Sequence, residues 1–423
     1  MSIAAVRKHI KLIRLRKLVV VSIVIGFLAA FLGLVLKHIT EHYEHLLFGQ
    51  SQENWILLLF FPIFSLSIIS LLRTYLFKKK ENKGIKEIFI TIHSKRKNLP
   101  AYKIPSHIIN GFLTVIFGGS TGIEVSTVVA AATIGSVAQQ KENLFARYKT
   151  QLICAGVAAG ITALFCSPIA GVLFAYEVIS KKLNKSFVIA CSISVAVASL
   201  LLIILDEPSM FPLKITTWNY TAIPFFILLG LLAGGISVYF TKTVMFCKEK
   251  FALLKHDHHR LIVGAVILSI ALLFVPELYG DGYHAINSAL IDSNPRLSLT
   301  FILGTVLLLI LKPIITSVTL AAGGDGGVFA PSLFVGAFLG LLTAVLLNTI
   351  SGVHVIPLNF MVLGMAAVLS ASIHAPYTSI FLLCGLINDY SLLIPLAIVC
   401  LTAKYTARAI YPNTVYTFTP QKV

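Results

Sequence analysis

Gly156-Val-Ala-Ala159, closing at Ser167-Pro168, returns as Gly364-Met-Ala-Ala367, closing at Ala375-Pro376, with one offset of 208 residues. Further out, Gly122-Ile123-Glu124 parallels Gly326-Gly327-Val328, and Lys83-Gly84-Ile85 parallels Asp281-Gly282-Tyr283. Two halves of the chain therefore carry one plan, about 18–205 and about 220–411. The competing explanation is chance, because small residues recur in packed membrane helices. Two inverted halves whose broken helices meet near the bilayer midplane form a recurrent membrane-protein architecture. The fold class expected is thus an all-α integral membrane protein, built as an inverted repeat with broken and tilted helices.

Composition supports lipid as the solvent. The chain is 57% hydrophobic and 12% charged, with a mean hydropathy of +0.89, against roughly 45–50% apolar residues in soluble domains. Apolar runs at 18–36, 55–77, 187–205, 222–246, 261–275, 299–319 and 392–403 are candidate spans. Shorter apolar pieces at 106–117, 125–137, 152–166, 169–179, 328–347, 360–373 and 377–386 are broken by Gly and Pro. Broken helices inside a bilayer usually line something polar.

The formal charge of +17 sits in short basic clusters between apolar runs, which reads as a topology signal rather than a nucleic-acid face. A basic segment, 1–17, holds Arg7, Lys8, Lys11, Arg14, Arg16 and Lys17. It is expected to be cytoplasmic and to precede a transmembrane domain over 18–423, with no cleaved signal peptide. Glu41, Glu44 and Glu53 are expected in an external loop. Lys78–Lys80, the cluster Lys248, Lys250, Lys255 and Arg260, and the C-terminal Lys404, Arg408 and Lys422 are expected inside. The six cysteines stand singly in or beside apolar segments and read as packing residues. His256, Asp257, His258 and His259 read as a solvated polar turn rather than a metal site, and His374 reads as a packed residue.

Chemistry concentrates at three glycine-bearing breaks: Lys83-Gly84-Ile85, Gly119-Ser-Thr-Gly122-Ile-Glu124, and Gly323-Gly-Asp-Gly-Gly327-Val-Phe-Ala-Pro331. Each precedes a short helix, whose start offers unpaired N–H groups and about half a positive charge. Several such ends converging in low dielectric would hold a dehydrated anion. The alternative is that the glycines only permit close helix packing. Glu124 is an ionisable side chain at a helix start inside the membrane, functional by default. Burial disfavours its charged form and the helix dipole favours it, so it is placed to exchange a proton. A helix-stabilising acid in the first turn is the plainer reading.

Gly327-Val328-Phe329-Ala330-Pro331 matches the GxFxP motif of the CLC family of chloride channels and chloride/proton exchangers, and the chain resembles that family over nearly its whole length. Gly122-Ile123-Glu124 falls where the family has GxEGP with its gating glutamate. Lys83 to Ile88 is a degraded GSGIPE, and Tyr416 stands at the pore tyrosine. The resemblance implies that ionised Glu124 blocks an anion position and withdraws when protonated. It implies anion binding by Lys83, Gly84, Ile85, Ile123, Val125, Val328, Phe329 and Tyr416. It also implies a homodimer with one pore per subunit, no cofactor, and a prokaryotic plasma membrane with both termini inside.

Several positions depart from the family pattern. Lys83 replaces a serine, and either adds positive charge near the anion and Glu124 or snorkels to the surface. Ile123, Val125 and Ser126 replace the arginine, glycine and proline around the gate. Val178 occupies the internal proton position, which favours passive conduction over exchange, while Glu177 matches a separate family glutamate. Only seven residues follow Tyr416, so the regulatory CBS domains of many members are expected to be absent. The function expected is glutamate-gated conduction of chloride or a similar monovalent anion through the bilayer, with proton-coupled antiport as its rival. An intramembrane enzyme is a distant third, since no HExxH and no clearly paired aspartates occur in the apolar segments.

Overall fold

The computed structural model describes residues 3–77, 82–94, 97–141, 147–211, 213, 215, 218–254, 256–291, 295–350 and 353–416. Lys78–Lys80, Lys255 and Lys422, and the side chains of Arg7, Lys8 and Lys11, lie outside them. The described residues form sixteen α-helices. The first half holds α1 (Ile3–Glu53), α2 (Ile56–Tyr75), α3 (Ile85–His93), α4 (Lys103–Ile116), α5 (Glu124–Gln140), α6 (Lys149–Phe165), α7 (Pro168–Phe174) and α8 (Lys185–Ile204). The second holds α9 (Ile223–Ala252), α10 (Asp257–Phe274), α11 (Tyr283–Ile291), α12 (Leu299–Ala322), α13 (Phe329–Ile350), α14 (Pro357–Ile373), α15 (Pro376–Ile387) and α16 (Leu393–Ile410). Eight of the described helices are long and apolar enough to cross a membrane, and α13 is the most enclosed of them.

The repeat is visible in backbone conformation. At matched ends of α6 and α14, Cys166 (φ 50°) and His374 (φ 56°) are both left-handed, and each is followed by a residue at φ −124° and a proline that starts the next helix. The packing is matched too. A methyl on Gly135 would lie 2.1 Å from the Leu152 carbonyl oxygen, and one on Gly340 would lie 2.0 Å from that of Phe360. Leu152 and Phe360 are again 208 positions apart. The α5/α6 and α13/α14 pairs thus approach backbone to backbone through small residues, the usual way to gain dispersion contact where lipid offers no hydrophobic drive.

The halves meet across several elements, among them α2 against α10, where Ser269 Oγ donates to the Leu59 carbonyl at 2.6 Å. Gly122 and Gly327 exchange backbone hydrogen bonds of 3.3 and 3.2 Å, an isolated antiparallel bridge between the breaks before α5 and α13. Elsewhere α7 packs on α15, where Ser167 Oγ donates to the Phe381 carbonyl at 2.7 Å. Glu177 Oε2 accepts from both the amide and the hydroxyl of Thr378 at 2.7 Å, so this carboxylate caps the start of α15.

The long α1 corrects one expectation. Glu41, Glu44 and Glu53 are not in a loop but on the same helix as the apolar span, which also takes in the basic N-terminal residues from Ile3. The stretch lacks a breaker before Gly49, and Leu36, Lys37, Thr40 and Ser51 are buried, with Leu47 and Phe48 against the core. That spacing of three to four is one helix face. The polar residues belong to a helix that goes on past its apolar segment. The His256–His259 cluster likewise opens α10 as exposed helix rather than turn.

Candidate functional site

The starts of α3, α5, α11 and α13 meet at the Gly122–Gly327 bridge, and Tyr416, beyond α16, closes the group. Glu124 is the first residue of α5 and 2% exposed. Its Oε1 accepts a hydrogen bond from the Tyr283 hydroxyl at 2.8 Å. Its Oε2 folds over Gly122, so close that any Cβ there would collide with it, and has no side-chain hydrogen-bond partner among the described residues. Glycine is required at this point for space rather than for φ.

Val125 stands on the other side of the bridge. A Cβ on Gly84 would lie 3.3 Å from Val125 Cγ1, and one on Gly327 would lie 2.2 Å from Cγ2 and 3.8 Å from the Tyr416 hydroxyl. Gly84, Val125, Gly327 and Tyr416 are therefore contiguous, and the glycines make room for the valine. The Tyr416 hydroxyl is buried and has no hydrogen-bond partner among the described residues. Ile85, Ile123, Val328 and Phe329 are all buried around this point, and the Phe329 ring stacks on Phe165 with centroids 5.1 Å apart. The two helix starts, α5 and α13, supply unpaired amides and positive dipole ends to one small volume. An anion or a carboxylate is the group such a place suits.

Two residues fall outside it. Lys83 is exposed, its amide bonded to Glu87 at 2.5 Å, and no ion pair joins it to buried Glu124 among the described residues. Of the two readings of Lys83, the surface one fits, because the stem can reach water more cheaply than it can bury its charge. Val178 is 5% exposed in a turn of π-helix, Ala175–Ser180, and packs in the core.

The structure adds residues that sequence reading passed over. Tyr283 is the first, although Asp281-Gly282-Tyr283 had been matched to Lys83-Gly84-Ile85; the match itself located a second helix start at the site. Lys312 is the second, wholly buried in α12, with Nζ donating to the Leu278 and Gly280 carbonyls at 3.2 Å and lying 4.7 Å from the Phe334 ring centre. The signal for it was a lysine inside the apolar run 299–319. Glu44 completes the group, its Oε1 accepting from the Asp281 amide at 3.2 Å.

A cavity of about 1230 Å³ opens beside these residues, lined by Lys37, Glu44, Glu207, Asp281 and Tyr283 among others. It adjoins a pocket of about 10 Å³ that reaches Glu124, room for about one water. Glu207 lies after α8, 2.7 Å from Lys37 Nζ and 2.8 Å from His38 Nε2. Burial pushes its carboxyl up, but Lys37 and His38 outweigh this and hold it below the ordinary carboxylate range.

The family profile described as "Voltage gated chloride channel" matches residues 64–408. The chain is 29% identical to the voltage-gated ClC-type chloride channel ClcB of Escherichia coli over 309 residues, 72% of each protein. It is 31% identical to the H(+)/Cl(-) exchange transporter ClcA of Vibrio parahaemolyticus over 284 residues, 63% of this chain and 58% of that one. The crystal structure of a CLC-type fluoride/proton antiporter superposes with a TM-score of 0.78 at 24% identity, covering 95% of this chain and 97% of that one.

Proposed function

Because the chain belongs to the voltage-gated chloride channel family, whose members transport anions and are not enzymes, we propose that it passes chloride or a similar monovalent anion through a pore gated by Glu124. Tyr416, Val125 and the starts of α5 and α13 form the path. The observation that carries this reading is the Glu124 carboxylate itself, buried at the junction of two helix starts where a transported anion would sit. Ionised, the carboxylate stands in for the anion and closes the path. Protonated, it no longer competes for the positive helix ends and gives up its place.

The transport is read as passive. Val178, at the position where the resemblance looks for an internal proton acceptor, is apolar and buried, so it carries no proton. Proton-coupled antiport through the same path is the second reading, favoured by the exchanger among the relatives and the antiporter among the structural neighbours. A homodimer in the plasma membrane of a prokaryote is part of the proposal and rests on the family resemblance.

The test is anion efflux from liposomes holding the purified protein, with external pH recorded, for wild type and Glu124→Gln. Efflux without proton movement, and loss of pH dependence in the variant, is the expected result. Proton movement driven uphill by a chloride gradient would replace the channel reading with the exchanger. Absence of anion efflux from wild type would end both.

A further inference from the structure

We propose that Tyr283 is the latch of this gate, a positioning residue whose hydroxyl holds the ionised Glu124 carboxylate across the path; this rests on Glu124 being the gate. The contact is a single hydrogen bond of 2.8 Å from the phenol to Oε1. A phenol donates to a carboxylate far better than to the carbonyl of a neutral carboxylic acid, because bonds to ionised acceptors are about twice as strong. The bond therefore favours the closed, ionised form over the open, protonated one.

The chain goes to some length to place that hydroxyl. Gly280 and Gly282, at φ 55° and 88°, turn the backbone into α11, a conformation that costs a residue with a Cβ about 1 kcal/mol or more. The Asp281 carboxylate accepts from the Tyr283 amide at 2.9 Å and so caps the helix. The ring rests edge-on against buried Phe211, centroids 6.0 Å apart. With its backbone and ring both held, Tyr283 spends little entropy on the bond.

The two carboxyl oxygens divide the work. Oε1 is taken by Tyr283, while Oε2 has no side-chain partner among the described residues and is the oxygen left to take a proton. A proton reaching the small pocket from the large cavity binds Oε2, leaves the carboxyl neutral, and weakens the Tyr283 bond at the same moment. The other charged or titratable groups facing Glu124 and Tyr283 are Lys37 and Glu41 of α1, Asp281 before α11 and Tyr416 after α16, with Lys312 of α12 lying behind against Asp281 and Glu44. None of them makes a hydrogen bond to the Glu124 carboxylate among the described residues. Among the described residues Tyr283 is thus the side-chain donor that distinguishes the two states of the gate, beside the backbone amides of Glu124 and Ala330.

The experiment is liposome anion efflux measured across the acid-to-neutral range for wild type, Tyr283→Phe, Glu124→Gln and the double variant. Tyr283→Phe is expected to shift half-maximal efflux up by about one pH unit, a tenfold lower proton concentration. The double variant is expected to match Glu124→Gln alone, since no carboxylate remains to be held. An unchanged midpoint in Tyr283→Phe, with pH dependence still abolished by Glu124→Gln, would overturn the latch and leave the gate standing. Retention of pH dependence in Glu124→Gln would overturn both. If Tyr283→Phe proves inactive, infrared titration of the Glu124 carboxyl band, assigned by its loss in Glu124→Gln, reads the same shift, and a band unmoved by the substitution would overturn the latch.

Discussion

Two buried polar atoms without partners, Glu124 Oε2 and the Tyr416 hydroxyl, flank the Gly122–Gly327 bridge, one beside each glycine. A buried polar group left unpaired costs about 1–3 kcal/mol, so each is a place where a passing species gains by binding. On the proposed function, a proton satisfies the first and an anion the second. Tyr416→Phe removes a donor that has no partner among the described residues. It is expected to leave the thermal midpoint in detergent unchanged while weakening anion binding by about 0.5–1.5 kcal/mol net, read as apparent affinity by calorimetry. A fall in thermal midpoint without loss of affinity would assign Tyr416 to packing. Glu124 was legible in the sequence as an ionisable residue at a helix start. Its partner Tyr283, 159 positions away, was not, because hydrogen bonding between distant segments leaves no local pattern.

The helices depend on glycine where carbonyls of a neighbouring helix come within contact distance. Gly156 faces the Ala131 carbonyl oxygen and Gly364 that of Gly336, and a methyl on either would lie 2.2 Å from that oxygen. Gly156→Ala and Gly364→Ala are therefore expected to destabilise the protein by similar amounts, about 1–3 kcal/mol or more for an overpacked site. Gly304, on α12, has nothing within 4 Å of its Cβ position, so Gly304→Ala should be neutral or gain about 0.5–1 kcal/mol from helix propensity. Thermal unfolding of the three variants in one detergent checks the ranking, and equal midpoints would refute it. Most element boundaries could be read from apolar runs punctuated by Gly and Pro. The extent of α1 could not, because its polar segment is helical through burial of one face against other parts of the chain.

Across the whole molecule, charge separates toward opposite ends of the helices. Lys37 and His38 of α1 bind Glu207 after α8, and Glu44 of α1 binds Asp281 before α11, which places these acidic residues at one end. Arg14, Arg16 and Lys17 precede the apolar segment of α1, Lys248 and Lys250 lie near the end of α9, and Lys404 and Arg408 lie in the second half of α16. With positive residues retained inside, both termini are expected to be cytoplasmic and the large cavity to open outward. Epitope tags at each terminus should resist protease in intact cells and become accessible in lysed ones; cleavage of either in intact cells would reverse the orientation.

The sequence by itself determined the lipid-embedded class, the two-halved plan and the list of helix starts. Those follow from composition, periodicity and repetition along the chain. The tertiary structure alone decided which starts converge, that Lys83 is exposed while Tyr283 reaches Glu124, and that Val125 lies between Gly84 and Gly327. Such choices depend on how helices pack against one another, and packing joins residues by shape and hydrogen bonding across separations that no linear pattern encodes.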